Sequence, residues 1–155
     1  MRVLKHNSII ITYVPNGFIP SIIDFMLKAG LKYWWINAVI LEGAFDKHFQ
    51  RRVTIKWKPL LWFVKGDKLI MPDFMSDLIL SNKPEKILHG WEQSSIDAEH
   101  VLRILTVENQ MILDPFVGMG TTAVAAIKLK RRFLGIDIDS NALNAARANI
   151  QRLPK

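Results

Sequence analysis

The stretch Ile112-Leu113-Asp114-Pro115-Phe116-Val117-Gly118-Met119-Gly120-Thr121-Thr122 decides how the chain folds. An apolar strand runs into an acid and a Gly-x-Gly turn, and a helix of small residues follows, from Thr122 to Lys130. A second strand, Arg132 to Asp137, ends on another acid. This is the layout of a nucleotide-type cofactor site at the carboxyl end of a parallel sheet. Gly118 and Gly120 let the backbone turn sharply and come close to a ligand. Ala123, Ala125 and Ala126 let the helix pack tightly on its strand. Asp137 lies seventeen residues beyond Gly120, where an acid bonds ribose hydroxyls.

Those offsets point to an adenosine-containing ligand, and two kinds compete. A dinucleotide expects a third glycine, but position 123 is Ala. Asp114 and Pro115 also stand where a pyrophosphate needs an uncharged, closely approaching backbone. An acid there suits a cationic or amino-bearing ligand such as S-adenosylmethionine. Asp139 has a simpler role available, as a cap for the last helix.

Composition narrows the classes. With 155 residues, half of them hydrophobic, the chain is expected to form a single domain, 1–155, with a real core. No apolar run is long enough to span a bilayer, and the N-terminus does not read as a signal peptide, so a cytoplasmic location is the default. Zero cysteines exclude disulfides, thiolate metal sites and a cysteine nucleophile. His48, His89 and His100 lack partners at metal spacing, so no metal centre is expected. The net charge of +7 is concentrated: Lys47, Arg51, Arg52, Lys56, Lys58, Lys65 and Lys68 face Asp67 alone between positions 47 and 68. Phe49, Trp57, Trp62 and Phe63 are interleaved with them. Cations neutralise phosphates and aromatic faces stack on bases. A solvated surface above core aromatics explains the same pattern.

In chain order, Ser8 to Val14 reads as a strand buried on both faces. A helix opens at Pro20-Ser21 and stops at Ala29-Gly30. Leu31 to Leu41 and Pro59 to Val64 read as strands that pair antiparallel, with a basic loop, 42–58, at their tip as a possible DNA contact. Trp34, Trp35 and Trp62 read as core. An irregular connection, 66–95, carries Pro72, Asn82, Pro84 and Gly90. Ser95 opens a helix to about Thr106, the strand–loop–helix–strand of the cofactor site occupies 109–139, and Ser140 caps a last helix.

At these residues a family becomes recognisable. Leu113-Asp114-Pro115-Phe116-x-Gly118-x-Gly120-Thr121-Thr122, followed by Arg132-Phe133-Leu134-Gly135-Ile136-Asp137-Ile138-Asp139, resembles the cofactor end of DNA amino-methyltransferases. The resemblance extends through His89-Gly90-Trp91-Glu92-Gln93-Ser94, through Trp57-Lys58-Pro59 to Val64-Lys65-Gly66, and to Arg2-Val3-Leu4-Lys5-His6-Asn7-Ser8. It covers nearly the whole chain, in the permuted order that puts the cofactor motif last. It implies an α/β, Rossmann-like S-adenosylmethionine-dependent methyltransferase fold and methylation of the exocyclic amino group of adenine or cytosine. Asp114, Pro115, Phe116, Gly118, Gly120, Thr121, Thr122 and Asp137 would hold the cofactor, with Gln93 and Ser94 at its carboxylate end. Lys47, Arg51, Arg52, Lys56, Trp57 and Lys58 would contact DNA.

One departure is large. The family's catalytic Asp/Asn/Ser-Pro-Pro-aromatic tetrapeptide handles the flipped base, and this sequence contains no Pro-Pro. In the permuted order it belongs before Arg2, on a strand between Met111–Asp114 and Ser8–Val14. The fold is therefore expected to be incomplete, lacking that central strand and a neighbour, and the chain to be N-terminally truncated and inactive alone. Exposed edges of that kind invite pairing, by a second polypeptide or a second copy. Three readings stay open: the cofactor-binding and DNA-contacting part of an amino-methyltransferase, a non-catalytic nucleic-acid-binding remnant, or another nucleotide-cofactor enzyme such as an RNA methyltransferase or a dehydrogenase.

Overall fold

The computed structural model describes residues 3–41, 46–67, 71, 73–81 and 95–153. Where one domain is expected, the chain divides into two compact units, 1–70 with 76–81, and 71–75 with 82–155.

The first unit is built on a four-stranded sheet. β1 (Ser8–Tyr13), α1 (Ile19–Lys28) and β2 (Lys32–Leu41) form a strand–helix–strand crossover. Pro20 sits in the first turn of α1, where its missing N–H costs nothing. Gly30, at φ +83°, ends the helix as the glycine reading expects. The crossover leaves a gap between its two strands, and β5 (Trp57–Lys65) fills it antiparallel to both. The antiparallel pairing of β2 with β5 is as read from the sequence. On one face Leu61 and Phe63 of β5 meet Val14, Leu31 and the apolar side of α1, and Leu60, Trp62 and Val64 are buried on the other.

Several expectations change here. Ser8–Tyr13 is half-buried along its length, not buried on both faces, because β5 is its sole ladder partner among the described residues. The doubly buried strand is β5, from Pro59 to Val64. Trp62 is core, but Trp34 and Trp35 are about half exposed: β2 carries a register irregularity between Tyr33 and Trp35. The stretch 42–58 is more than a loop. It holds a hairpin, β3 (Asp46–His48) and β4 (Val53–Ile55), and the first residues of β5. The stretch 66–95 contains β6 (Leu78–Ser81), added parallel to β2 and completing the order β1-β5-β2-β6.

The second unit is a small parallel layer. β7 (Met111–Asp114) and β8 (Arg132–Gly135) pair in parallel, linked by α3 (Thr121–Lys128). α2 (Ser95–Leu105) and α3 cover one face, with Leu102, Ala125 and Ala126 packed on Ile112 and Phe133. The alternation of the strands puts Met111, Leu113 and Leu134 on the other face, where they are exposed. Arg131 ties the layer together by donating to the Thr106 hydroxyl at 2.9 Å and the Thr106 carbonyl at 2.6 Å. α4 (Ser140–Gln151) follows. Its cap is Asp139, whose carboxylate accepts the Asn141 N–H at 2.8 Å, so Ser140 is the first helical residue and not the cap. No described helix is long and apolar enough to cross a membrane.

Candidate cofactor site

The site is assembled where β7 and β8 end. The ladder continues one step beyond the strands: Ile136 N–H donates to the Asp114 carbonyl and Val117 N–H to the Ile136 carbonyl, each at 2.9 Å. These bonds fix the loop 115–120 against the chain leaving β8. The Asp114 carboxylate turns back on its own loop and accepts the Phe116 N–H at 3.0 Å. Such a local turn is the usual use of an Asp at a strand end.

Asp137 is the organiser of the site. One carboxylate oxygen accepts the Gly118 N–H at 2.8 Å, and the other accepts the Asp139 N–H at 3.0 Å. Those bonds, first the one from Asp139 and then that from Gly118, hold its carboxyl below the ordinary aspartate value of 3.8, against a smaller opposing effect of desolvation. The residue that sequence reasoning assigns to a ligand thus also braces the Gly-x-Gly turn nineteen residues before it.

The turn needs both glycines, for different reasons. Gly118 (φ +50°) and Gly120 (φ +85°) are left-handed. At Gly118 a methyl group would meet nothing closer than 4.0 Å, whereas at Gly120 it would lie 2.8 Å from the Ala146 Cβ and 2.9 Å from its Cα. Gly120 is therefore the point where α4 rests on the loop. Asn149, one turn further along α4, donates from Nδ2 to the Met119 carbonyl at 3.0 Å. Ala146 and Asn149 were not singled out from the sequence, because they lie about thirty residues from the turn. No local signal marks them, because α4 carries other alanines and asparagines at Ala142, Ala145, Ala148, Asn141 and Asn144. Replacing Asn149 by alanine is expected to destabilise the unit by about 1 kcal/mol, read by urea unfolding, as one half-buried side-chain bond to backbone is lost.

Around this frame the other predicted residues fall together. Pro115 and Phe116 are exposed on the loop, Phe116 at 85%. Thr121 and Thr122 are half-buried at the start of α3, whose first turn has no side-chain cap. Ile138, beside Asp137, is fully exposed. Gln93 and Ser94 lie outside the described residues. The predicted DNA contacts Lys47, Arg51, Arg52, Lys56 and Lys58 are exposed, and Trp57 is half-buried at the start of β5. The arrangement offers an acid with backbone-fixed orientation, a second acid, an uncapped helix start and two exposed apolar surfaces. These are the kinds of group that S-adenosylmethionine requires: acids for ribose hydroxyls and for cationic centres, apolar surfaces for the adenine, and a helix start for a carboxylate.

The comparisons with known proteins agree with this geometry. A family model for DNA methylase matches residues 82–148, which span the site. The Type II methyltransferase M2.DpnII of Streptococcus pneumoniae is 33% identical over 119 residues, covering 65% of this chain and 44% of that protein. The Type II methyltransferase M.MjaI of Methanocaldococcus jannaschii is 31% identical over 131 residues, 82% of this chain and 38% of that protein. Among solved structures, the M1.HpyAVI–SAM complex superposes with a TM-score of 0.81 at 27% identity, covering 97% of this chain and 76% of that one. The cytosine-N4-specific PvuII DNA methyltransferase shares the fold, with a TM-score of 0.77 at 14% identity over 98% of this chain and 66% of that one. The chain spans under half the length of the curated relatives it matches first, 44% and 45%. With the Asp114–Thr122 loop and Asp137 placed as described, residues 82–148 match the DNA methylase family model, and the chain has the α/β fold of the S-adenosylmethionine-dependent DNA methyltransferases it resembles.

Proposed function

We propose that this chain is the S-adenosylmethionine-binding and DNA-contacting part of a site-specific DNA methyltransferase that modifies the exocyclic amino group of adenine or cytosine. The observation that carries the reading is the Gly118–Gly120 turn clasped between the Asp137 carboxylate and α4. When bound, S-adenosylmethionine supplies a methyl group on a sulfonium, which suits transfer to an amine. On this side of the reaction, Asp137 orients the ligand's sugar. Asp114 supplies negative charge beside the turn, and Phe116 and Ile138 exclude water from its aromatic part.

The chain's own residues do not provide the Pro-Pro-aromatic element that the reaction needs to hold a flipped base. We infer that a further polypeptide segment carrying that element supplies the missing strand; a homodimer of this chain, which lacks the element in both copies, would cover the edge without completing the base site. Among the described residues, β1 has β5 as its one neighbour and β7 has β8. Each therefore has a described ladder on one side only, and an outer edge of that kind accepts another strand. Acting on DNA, the assembly would work in the cytoplasm.

The expected result is weak binding of S-adenosylmethionine by the chain alone in calorimetric titration, no methyl transfer to DNA alone, and methyl transfer on adding a polypeptide that carries the Pro-Pro-aromatic segment. Turnover by the purified chain alone would overturn the need for a partner. Preference for a nicotinamide dinucleotide would overturn the cofactor reading. A non-catalytic nucleic-acid binder is the second reading, favoured by the exposed basic stretch Lys47–Thr54, and it predicts DNA binding with no cofactor affinity with or without the added segment.

A further inference from the structure

The β3–β4 hairpin contributes nothing to a core. Every residue from Lys47 to Thr54 is exposed, and Ile55 is only half-buried. A two-stranded ribbon without a packed face is marginal by itself, so its composition is not explained by folding. That composition is specific. The ribbon pairs Asp46 with Ile55, Lys47 with Thr54 and His48 with Val53, and its tip is a single turn of 3-10 helix, Phe49–Arg51. The tip has a defined shape: His48 Nδ1 accepts the Arg51 N–H at 3.3 Å, and Arg52 takes the left-handed conformation at φ +51° that closes the turn. Phe49 stands at the apex and is 82% exposed. Arg51 and Arg52 follow after Gln50, Lys56 joins β4 to β5, and Lys58 lies on β5. Asp46 is the one acid between positions 46 and 58.

An exposed phenylalanine alone on a hydrated surface is ordinary. A phenylalanine at the apex of a shaped turn, with arginines next to it and no packing role, combines an apolar wedge with phosphate-binding cations. Architectural proteins bend and unstack duplexes with that combination. We propose that this hairpin is a duplex-probing element: Phe49 inserts into the base stack of double-stranded DNA while Arg51 and Arg52 hold the flanking phosphates. The inference rests on the reading of the chain as DNA-acting and adds to it a residue that the charge pattern does not select. Unstacking at the apex lowers the energy of rotating a neighbouring nucleotide out of the helix, which a methyltransferase acting on a base requires.

The test compares the full chain with Phe49→Ala, Phe49→Trp and the double variant Arg51→Glu/Arg52→Glu on duplexes carrying 2-aminopurine. Affinity is read by anisotropy across a salt series, and unstacking by 2-aminopurine fluorescence. The wild-type chain is expected to brighten the probe. Phe49→Ala should lose roughly five- to hundredfold in affinity, the range of a single base–aromatic stack, together with the fluorescence rise, and should keep the salt slope. Phe49→Trp should retain both. The arginine pair should flatten the log–log salt slope by about 2, one unit per lost phosphate contact. Thermal unfolding should be unchanged for every variant, since no described residue buries these side chains. Salt-dependent binding by the wild type with Phe49→Ala indistinguishable from it would overturn the wedge and leave the methyltransferase reading standing. No binding to DNA at all, or preference for duplex RNA, would overturn the wedge and the DNA reading together.

Discussion

Replacing Asp137 by alanine is expected to weaken S-adenosylmethionine binding by about a hundredfold or more, because two charge-assisted backbone bonds are lost together with the proposed ligand contact. The Gly118 N–H and the Asp139 N–H both end on this carboxylate. Without it the Gly-x-Gly turn and the entry to α4 lose their common anchor. Asparagine should be almost as damaging as alanine. Its single carbonyl oxygen replaces one acceptor, and its amide nitrogen then faces the other N–H donor to donor. A residue that served only to bond a sugar hydroxyl would tolerate asparagine far better, so the ratio between the two variants separates bracing from simple contact. The titration is run on the chain alone, or with the complementing segment where the chain alone binds too weakly to measure.

The same carboxylate sets the acid limit of the site. Its folded pKa is lowered by the Asp139 and Gly118 N–H groups. The stabilisation is therefore fully present above the unfolded aspartate value and is lost as pH falls through the depressed folded value. Binding should be flat from about pH 8 to about pH 5 as far as Asp137 is concerned, and its loss should begin only below 3.8. A midpoint contributed by this residue near pH 6 would contradict the hydrogen-bonded arrangement.

Much of the second unit was legible because its determinants are local. Met111–Asp114, the two glycines, the alanine-rich helix and Arg132–Asp137 specify a strand, turn, helix and strand within thirty residues, and each choice agrees with the next. What the sequence could not show is long-range. Ala146 and Asn149 touch the turn only because α4 folds back on it. In the first unit, apolar content does not distinguish an edge strand from a central one. Ser8–Tyr13 is as rich in isoleucine as any buried strand, yet β5 takes the centre, since burial is set by neighbours and not by the segment itself. Two features escaped for opposite reasons. β6 is four residues long between turn-forming residues, too short for an alternation to register. The β3–β4 hairpin has no buried face and so leaves no apolar period to read. Its charges were visible, but its shape and the position of Phe49 at the apex were not. A function carried by exposed side chains on a marginal ribbon is invisible to a method that reads core patterns.

Gly120→Ala is expected to destabilise the second unit by about 2–4 kcal/mol in urea unfolding, from two separable effects. The left-handed backbone at φ +85° costs an alanine about 1 kcal/mol or slightly more. The new methyl group then collides with Ala146 at 2.8 Å, and relief requires α4 to move away from the loop at a further cost of about 1–3 kcal/mol. Gly118→Ala isolates the first effect, because it shares the positive φ and meets nothing closer than 4.0 Å; about 1 kcal/mol is expected. Adding Ala146→Gly to Gly120→Ala should recover part of the second effect only. It removes the Cβ contact, but the Ala146 Cα remains 2.9 Å from the added methyl. The partial recovery must also exceed the roughly 1 kcal/mol that a glycine costs inside α4, measured from the Ala146→Gly single variant. Equal destabilisation by Gly118→Ala and Gly120→Ala would show that α4 does not rest on the turn. In that case the bond from Asn149 to Met119 would have to be all that positions the helix against the cofactor loop.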